Sequence, residues 1–309
     1  MNMLTARYQD WMSLKTNLVW IYEGAIPANV AEPYNPKSRS RELPYILGGG
    51  GFLFPEYCVA WLLLKGSVTV SYEGQILKAT AGSWVIPRPG IRQQAFSADA
   101  EILSLRFQAQ WPDGRALFEE GLSIAFPKAR FPRLEENARE LLAIAKPYLP
   151  SPDATLLATM ELPVDVFYEI KIGMLRFVQS FTETLMECGL KPTRLGSHDE
   201  RVLLALQRLD FLPLSHKLRE SDLANAVGLG ISQFARLFQA EIGMSPKKYI
   251  ETRRREVCKR MLINSAVPLK QIAMELGFAH PSDFSYWFRK NYKMSPKAFR
   301  YKYPQGSNI

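Results

Sequence analysis

The chain has 309 residues, of which 47% are hydrophobic and 22% are charged, and its formal net charge is +9. These proportions are typical of a globular protein of two or three domains and exclude fibrous and low-complexity chains. The longest apolar run, 58–64, is too short to span a bilayer, and the first residues lack the layout of a signal peptide. We therefore expect a cytoplasmic protein without a membrane partner.

The cysteines and histidines are too scattered for metal chemistry. Cys58, Cys188 and Cys258 lie too far apart for metal-binding or redox spacing, so we expect three buried thiols. The three histidines, at 198, 216 and 280, all lie outside residues 1–197, which excludes a two-histidine, one-carboxylate site from the front of the chain. We predict no metal, no cofactor and no catalytic residue.

Between 52 and 109, short β-rich stretches alternate with turns at spacings of roughly 8 to 12 residues. Turn sequences such as Glu73-Gly74, Ala81-Gly82 and Pro89-Gly90 separate them. The candidate strands are 59–64, 68–72, 75–79, 83–87, 92–96 and 102–107. This pattern predicts a β-barrel or jelly roll as the main part of a domain over 1–125.

A small molecule at the mouth of such a barrel would need aromatic faces and a few directed polar groups. The ligand-binding candidates are Trp61, Trp84, Arg88, Arg92 and Gln93, and a polar, uncharged molecule such as a sugar suits them. In the alternative interpretation both tryptophans belong to the core and both arginines to the surface.

Two amphipathic helices are predicted after the barrel. The first, 133–148, carries an apolar stripe of Leu134, Ala138, Leu141, Leu142 and Ala145. The second, 168–188, carries a broader stripe of Ile172, Leu175, Phe177, Val178, Phe181 and Leu185. Such stripes cover a barrel or pair with a second subunit, so we assign 126–190 to a helical cover or dimerisation segment. Residues 191–198 are the predicted linker to a domain over 199–309.

That last domain contains one helical pattern twice, at 220–250 and at 269–300. Its first part, Leu223, Ala224, Val227 and Gly228, returns as Ile272, Ala273, Leu276 and Gly277. Its second part, Phe234, Phe238, Met244, Ser245, Pro246 and Tyr249, returns as Phe284, Phe288, Met294, Ser295, Pro296 and Phe299. Two copies of one pattern predict two equivalent structural units.

Each unit is predicted to form a short helix, a glycine turn and a second helix with an apolar back. Ser232 is expected to cap the second helix of the first unit. The predicted backs are Phe234, Leu237, Phe238 and Ile242 in that unit and Phe284, Trp287, Phe288 and Tyr292 in the next. The fronts are small, polar and basic: Ser232, Ala235, Arg236 and Gln239, then Ser282, Ser285, Tyr286 and Arg289. This is the pattern of a helix-turn-helix, whose second helix enters the major groove of DNA.

Ser245 and Pro246 predict a connector helix between the units, which runs to about Asn264. At about 1.5 Å per residue it is roughly 27 Å long, near the ~34 Å between successive major grooves on one face of DNA. Its basic residues are expected to form a solvated face: Lys247, Lys248, Arg253, Arg254, Arg255, Lys259 and Arg260.

The excess positive charge lies in the same region. Residues 1–197 contain 20 Lys and Arg against 20 Asp and Glu, whereas residues 198–309 contain 19 against 10. Neutralisation of DNA phosphates needs such an excess, and a basic surface alone would also suit a membrane. The duplicated motif favours double-stranded DNA.

These residues resemble the DNA-binding half of the AraC/XylS transcription regulators over about 202–300. The most specific likeness is Gly277-Phe278, Phe284, Phe288, Ser295-Pro296 and Arg300. The resemblance implies that the base-facing residues are Ser232, Gln233, Ala235 and Arg236, then Pro281, Ser282, Ser285 and Tyr286. Gln239, Arg289 and Lys290 are the further DNA-binding candidates, the last two as phosphate contacts. Arg255 and Tyr286 depart from the family pattern, which usually has an apolar residue and an arginine there.

Residues 81–90 resemble the cupin-type sensor barrel found in many sugar-responsive members of this family. The resemblance implies a multidomain α and β protein: an N-terminal cupin-like β-barrel with a helical dimerisation segment, and a C-terminal all-α domain with two helix-turn-helix motifs. It further implies a homodimeric activator with a sugar-like effector and RNA polymerase as a partner. Two alternatives stay open, a cupin-type enzyme with a DNA-binding tail and a ligand-independent DNA-binding dimer.

Overall fold

The computed structural model describes residues 8–26, 57–72, 74–89, 92–111, 114–149, 157, 161–193, 199–211, 213–215, 219–263 and 267–302. Contacts divide the chain into two compact units, Met1–Arg194 and Leu195–Gln305. Of the predicted linker, only 191–193 fall within the described residues.

In its described residues the first unit has eight strands, which form two antiparallel sheets. The strands are β1 (Lys15–Ala25), β2 (Cys58–Lys65), β3 (Ser67–Tyr72), β4 (Gln75–Thr80), β5 (Ser83–Ile86), β6 (Gln93–Phe96), β7 (Glu101–Gln110) and β8 (Ile124–Pro127). One sheet has the order β1-β7-β2-β5-β8, and the other has the order β4-β3-β6. The six predicted strands are confirmed, while β1 and β8 lie outside the region in which the sequence predicted strands.

The two sheets face each other across a shared apolar core. Trp61 and Leu63 of β2 pack with Val68 and Val70 of β3 and with Phe96 of β6. The alternating valines of β3 place one side of that strand in the core, as the period of two residues in a strand requires. The predicted β-barrel or jelly roll is found as two facing sheets, and among the strands that the structure describes no ladder joins the two sheets into a closed barrel.

Two helices cover the opposite face of the larger sheet. They are α2 (Pro132–Ala145) and α3 (Val164–Glu187), and a short helix α1 (Tyr8–Met12) precedes β1. Phe107 of β7 contacts Phe177 and Phe181 of α3, with ring centroids 5.3 and 5.1 Å away. All five residues of the apolar stripe predicted for the first helix are buried on α2, which confirms that stripe.

The stripe predicted for the second helix is partly wrong. Ile172 and Leu175 are 51% and 55% exposed, and the buried side of α3 includes Ile170, Met174 and Phe177 instead. At 3.6 residues per turn, positions 170, 174 and 177 share one side of the helix, whereas 172 and 175 lie on the other. The sequence stripe was too broad because α3 has apolar residues on both sides.

The second unit is entirely helical in its described residues. Its helices are α4 (Glu200–Phe211), α5 (Glu220–Ala226), α6 (Ile231–Ile242), α7 (Pro246–Ile263), α8 (Leu269–Glu275), α9 (Pro281–Tyr292) and α10 (Pro296–Lys302). Helices α4, α5 and α6 pack together as the first helix-turn-helix unit, and α7, α8 and α9 form the second. Helix α7 also contacts α6 and α10, so the connector belongs to both units.

No helix among the described residues is long and apolar enough to cross a membrane. Cys58 and Cys258 are buried as predicted, but Cys188 is partly exposed, because it follows the last turn of α3 rather than lying inside a core. Burial raises the pKa of the Cys58 thiol to about 12.

Candidate nucleic-acid interface

The turn in each helix-turn-helix is made by a glycine with left-handed backbone. Gly228 has φ +69° and Gly277 has φ +80°, a region that L residues with a side chain rarely adopt. The amides that follow them donate back into the preceding helix, Leu229 N to the Ala224 carbonyl at 2.9 Å and Phe278 N to the Ala273 carbonyl at 2.9 Å. These bonds use carbonyls that the helix end leaves unsatisfied, which fixes the angle at which the next helix leaves.

The two second helices, α6 and α9, present the same surface. Both have 12 residues, and over the first ten positions their side chains are buried, half-buried and exposed in the same order along the helix. Phe234 and Phe238 are buried on α6, as are Phe284 and Phe288 on α9. The spacing of the buried residues therefore matches the predicted apolar backs. Each back packs against its own helix-turn-helix unit.

The fronts of both helices face solvent. On α6, Ser232, Gln233, Arg236 and Gln239 are exposed, and on α9 the exposed residues are Pro281, Ser282, Tyr286, Arg289 and Lys290. Ala235 and Ser285 are partly buried at the equivalent position of each helix. Each predicted DNA-binding residue therefore lies on a solvent-accessible helical surface, where it can reach a groove.

Ser232 does not cap α6. The helix begins one residue earlier, at Ile231, and Gly230 takes the capping position with no hydrogen bond from a side chain. Because the turn glycine and Leu229 complete the reversal before residue 230, Ser232 lies within the first helical turn. Its hydroxyl is thus on the exposed front and not engaged as a cap.

Asp283 is a candidate that the sequence reasoning missed. It is exposed in the first turn of α9, fifty residues after Gln233, which occupies the same place on α6. Carboxylates accept hydrogen bonds from cytosine N4 in the major groove. A uniform offset of fifty residues between α6 and α9 would have identified Asp283 alongside Ser282 and Ser285.

The basic face predicted for the connector helix α7 is solvated only at the start of the helix, where Lys247 and Lys248 are exposed. Residues 251–257 are all half-buried, because α7 packs against helices of both units. Glu251 accepts hydrogen bonds from the Trp287 indole and from Arg254, at 3.1 Å for the latter. The Arg254 guanidinium also lies 5.5 Å from the centre of the Phe278 ring. Arg254 therefore helps the second helix-turn-helix unit to pack against α7.

The serines before each proline cap the next helix, which confirms the cap predicted at Ser245 and adds an equivalent one at Ser295. Ser245 Oγ accepts from Lys248 N at 3.3 Å, and Ser295 Oγ accepts from Ala298 N at 3.1 Å. Arg300, the last residue of the family-like pattern, donates to the carbonyl of Val267 at 2.6 Å. This bond joins α10 to the segment before α8, and so links the two ends of the second helix-turn-helix unit.

The structure separates the ligand candidates of the first unit. Trp61 faces the core between the sheets, and the Arg92 guanidinium lies 5.2 Å from the centre of its ring. Trp84 pairs with Leu62 and is fully buried, so it lies on the opposite face of the sheet, towards the covering helices. Arg88 is half-buried over Tyr72, and Gln93 lies in β6 opposite Ser71. The structure therefore does not bring Trp84 to the same site as Trp61 and Arg92.

Two buried polar residues of the same interior were missed. Arg106 and Ser104 project from β7, on the side of Trp61, and only 5% and 3% of their surfaces are exposed. The alternation of Ser104 and Arg106 with Leu103, Leu105 and Phe107 was the signal that could have revealed them. Among the described residues, no group of three or more His, Cys, Asp or Glu is arranged to hold a metal ion.

Comparison with known proteins agrees with this geometry. A family model described as a helix-turn-helix domain matches residues 223–302. The HTH-type transcriptional regulator ExsA of Pseudomonas aeruginosa is 26% identical over 255 residues, 78% of this chain and 84% of that protein. The probable transcriptional regulator LumQ of Photobacterium leiognathi is 33% identical over 127 residues, 40% of this chain. The chain spans only about half of LumQ, 51% of its length.

Among solved structures, the DNA-binding domain of AdpA in complex with a target DNA is similar to part of the chain. The match is 24% identical with a TM-score of 0.31, and it covers 33% of this chain and 92% of that one.

Proposed function

Because the chain belongs to the AraC/XylS family of DNA-binding transcription regulators, we propose that it is an activator whose two helix-turn-helix units read neighbouring major grooves. The observation that carries this proposal is the pair of matching, solvent-exposed fronts on α6 and α9 within one compact unit. The excess of basic residues in 198–309 supports it, since phosphate neutralisation supplies much of the affinity for DNA.

Arg236 is the residue we assign to direct base recognition. Its guanidinium is exposed on the front of α6, and an arginine can donate two hydrogen bonds to guanine in the major groove. Arg236→Ala should weaken binding to a duplex selected by the protein from a random library by about 1 to 3 kcal/mol. Fluorescence anisotropy on selected and random duplexes measures this. An equal loss on both duplexes would contradict the assignment.

Arg289 and Lys290 are the residues we assign to phosphate contacts, since they lie in the last turn of α9 rather than at its beginning. Replacing either by Ala should weaken binding to every sequence alike and make the slope of log affinity against log salt shallower by about 0.9. A loss confined to the selected duplex would show base recognition instead.

We further propose that the two facing sheets of the first unit are a cupin-type sensor for a small polar metabolite, such as a sugar derivative. Buried polar groups next to Trp61 support this, because ligand sites combine aromatic surface with a few directed polar groups. Binding would change DNA affinity only if the effector favours one arrangement of the protein over another. A thermal-shift screen of sugars, sugar acids and sugar phosphates tests whether the unit binds such a molecule.

The exposed side of α3 is the surface we propose for a homodimer. Val164, Tyr168, Ile172 and Leu175 form an exposed apolar stripe on one side of this helix. A second copy of α3 would cover it, and dimeric regulators place equivalent units on two half-sites. Leu175→Glu should convert a dimer into a monomer at micromolar concentration, as measured by light scattering. A monomeric wild-type chain, with and without DNA, would remove the proposal.

An activator acts where the chromosome lies, so we propose a cytoplasmic location and RNA polymerase as a partner. Transcription in vitro from a promoter that carries the selected site provides the test. The purified chain should increase the transcript with polymerase present, and Arg236→Ala should abolish most of that increase. A decrease with the wild-type chain would make it a repressor.

A further inference from the structure

One acidic side chain lies on the helical surface that we assign to DNA. Asp283 is the third residue of α9, and its side chain is exposed in the first turn of that helix. The first residues of a reading helix are the ones that contact base edges in the major groove. A carboxylate in that place is repelled by the phosphates of DNA. Asp283 therefore opposes binding wherever the groove offers it no hydrogen-bond donor.

Asp222 shows what a carboxylate at the same place in a helix does for the fold. It is the third residue of α5 and accepts a hydrogen bond from Arg219 N at 3.1 Å, which completes a capping box. The side chain of His280, the residue before α9, does not cap that helix. Within the residues that the structure describes, the Asp283 carboxylate forms no hydrogen bond and no ion pair. The fold thus uses the carboxylate of Asp222 and leaves that of Asp283 available.

The following residues of α9 do not neutralise Asp283. Residues three and four positions later are its neighbours on the helix surface, and these are Tyr286 and Trp287. Neither side chain is a cation, so the common ion pair within one helix is absent there. Lys290 lies on the same side of α9 seven residues later, which is about 10 Å along the axis and too far for an ion pair.

Cytosine is the base that a carboxylate favours in the major groove. Its N4 amino group is a donor, and aspartate accepts a hydrogen bond from it. Guanine presents two acceptors and thymine presents an acceptor and a methyl group, so neither pairs with a carboxylate. Adenine presents its N6 donor next to the N7 acceptor, which repels the second carboxylate oxygen. Attraction to one base and repulsion from the others both increase discrimination.

The equivalent residue of the other reading helix carries a different group. Gln233 is the third residue of α6, and its side chain is exposed like that of Asp283. An amide accepts a hydrogen bond from N6 of adenine and donates one to N7, so glutamine suits adenine. One position on two matching helices therefore holds an amide in the first unit and a carboxylate in the second.

We propose that Asp283 is a specificity-determining residue, which accepts a hydrogen bond from the N4 amino group of a cytosine and disfavours the other bases at that position. The inference rests on the proposed binding of DNA by the front of α9. It assigns different preferences to the two helix-turn-helix units, cytosine for Asp283 and adenine for Gln233. Asp283 lowers the affinity for most sequences and raises the preference for one.

Selection of duplexes from a random library by the full chain tests which base Asp283 reads. The wild-type chain should enrich cytosine at one position of its site. Asp283→Asn has nearly the same shape but carries a donor, so adenine should replace cytosine at that position and at no other. Asp283→Glu keeps the carboxylate and should keep the cytosine.

Fluorescence anisotropy measures the size of the effect on two duplexes, the selected site and the same site with this cytosine replaced by thymine and its partner by adenine. The wild-type chain should bind the selected site at least about fivefold more tightly, and Asp283→Ala should reduce that ratio to about one. Asp283→Ala should also bind a random duplex about threefold more tightly than the wild-type chain, since it removes a negative charge near the phosphates.

Asp222→Ala is the matched control, because it removes the same side chain from the same place in a helix outside the reading surface. It should lower the Tm through loss of the capping box and leave the selected bases unchanged. A lower Tm for Asp283→Ala with unchanged base preference would give Asp283 the same structural role and overturn the inference.

Two further results would overturn the inference. One is the same selected site for the wild-type chain and for Asp283→Asn, and the other is a uniform gain in affinity for Asp283→Ala on every duplex. The wild-type selection separates these results from failure of the proposed function. If the wild-type chain selects a site that the Asp283 variants also select, only the role of Asp283 is wrong. If the wild-type chain selects no site, sequence-specific binding is wrong as well.

Discussion

The two helix-turn-helix units have the same arrangement of helices, and they differ in the side chains on the exposed surfaces of α6 and α9. Helices α6 and α9 bury phenylalanines at the same places and expose the same positions, yet their fronts carry Arg236 in one and Tyr286 in the other. The back of each helix is constrained by close packing, which tolerates few shapes. Most of the front is exposed to solvent, so packing within the unit constrains its residues less.

The units also differ in how they meet their neighbours. A Cβ at Gly228 would enter open space, whereas a Cβ at Gly277 would lie 2.5 Å from the backbone oxygen of Leu214, in the loop between α4 and α5. Gly277 thus brings the turn of the second helix-turn-helix unit into contact with the first helix-turn-helix unit. The equivalent positions Leu237 and Trp287 differ too, because only the indole bonds to the connector through Glu251.

The largest expected difference between the units concerns their turn glycines. Gly277→Ala should lower the free energy of unfolding by about 3 kcal/mol, from left-handed strain together with the clash at the Leu214 carbonyl. Gly228→Ala has only the strain and should lower it by about 1 kcal/mol. Urea denaturation of both variants measures the difference. Equal losses would show that the contact between the units contributes nothing.

The next largest difference concerns the DNA-binding fronts. Arg236→Ala should weaken binding to the selected duplex by about 1 to 3 kcal/mol, whereas Tyr286→Ala should weaken it by less than about 1 kcal/mol. A tyrosine at this position lacks the two parallel donors of a guanidinium. Anisotropy titrations at one salt concentration compare the two variants. A greater loss for Tyr286→Ala would reverse the assignment of the main reading unit.

A smaller difference concerns the backs of the helices. Trp287→Phe keeps an aromatic ring next to Phe278 and Phe284 but removes the hydrogen bond to Glu251. The unfolding free energy should fall by about 1.5 kcal/mol, since the acceptor is a charged carboxylate. Glu251→Ala removes the acceptor and completes a double-mutant cycle with Trp287→Phe, while Glu251→Gln, which keeps an acceptor, is the control. Additive effects of Trp287→Phe and Glu251→Ala would show that this bond does not stabilise the second helix-turn-helix unit.

The smallest difference concerns the residue after each reading helix. Gly243 follows α6 with φ +74°, and Lys293 takes the same left-handed conformation after α9 with φ +59°. Lys293→Gly should therefore stabilise the chain by about 0.5 to 1 kcal/mol, because glycine adopts this region without steric strain. Gly243→Ala should destabilise it by a similar amount. Thermal melts of the pair are sufficient, and destabilisation by Lys293→Gly would contradict the prediction.

Local pattern predicted the helical unit, Leu195–Gln305, well and the sheet-containing unit less well. The repeated Phe234 and Phe284 placed both reading helices correctly, because an amphipathic helix shows its buried face within a dozen residues. The interior between the two sheets of the first unit is formed by residues that come from strands distant in the sequence. Arg106 stands among apolar neighbours in β7, and nothing near it in the sequence indicates that Arg92 shares its interior.

Ser232, Ile172 and Leu175 show where local pattern was insufficient. A serine before an apolar helix predicts a cap, but after the reversal at Gly228 the helix starts two residues earlier than a cap at Ser232 implies. Apolar residues on both sides of α3 left the buried side undecided until the sheet was in place. In each case the choice depended on a neighbour that the local sequence does not contain.

By itself the sequence determined the two repeated units, the strands between 58 and 110 and the concentration of positive charge in the last third, since each depends on residue type and short-range period. Only the tertiary structure decided that Trp61 and Trp84 face opposite ways, that Arg92 and Arg106 are buried in the same interior, and that Gly277 lies against Leu214. Strand register and packing between distant segments set these relations, and they follow from the contacts of the whole folded unit rather than from any one stretch of chain.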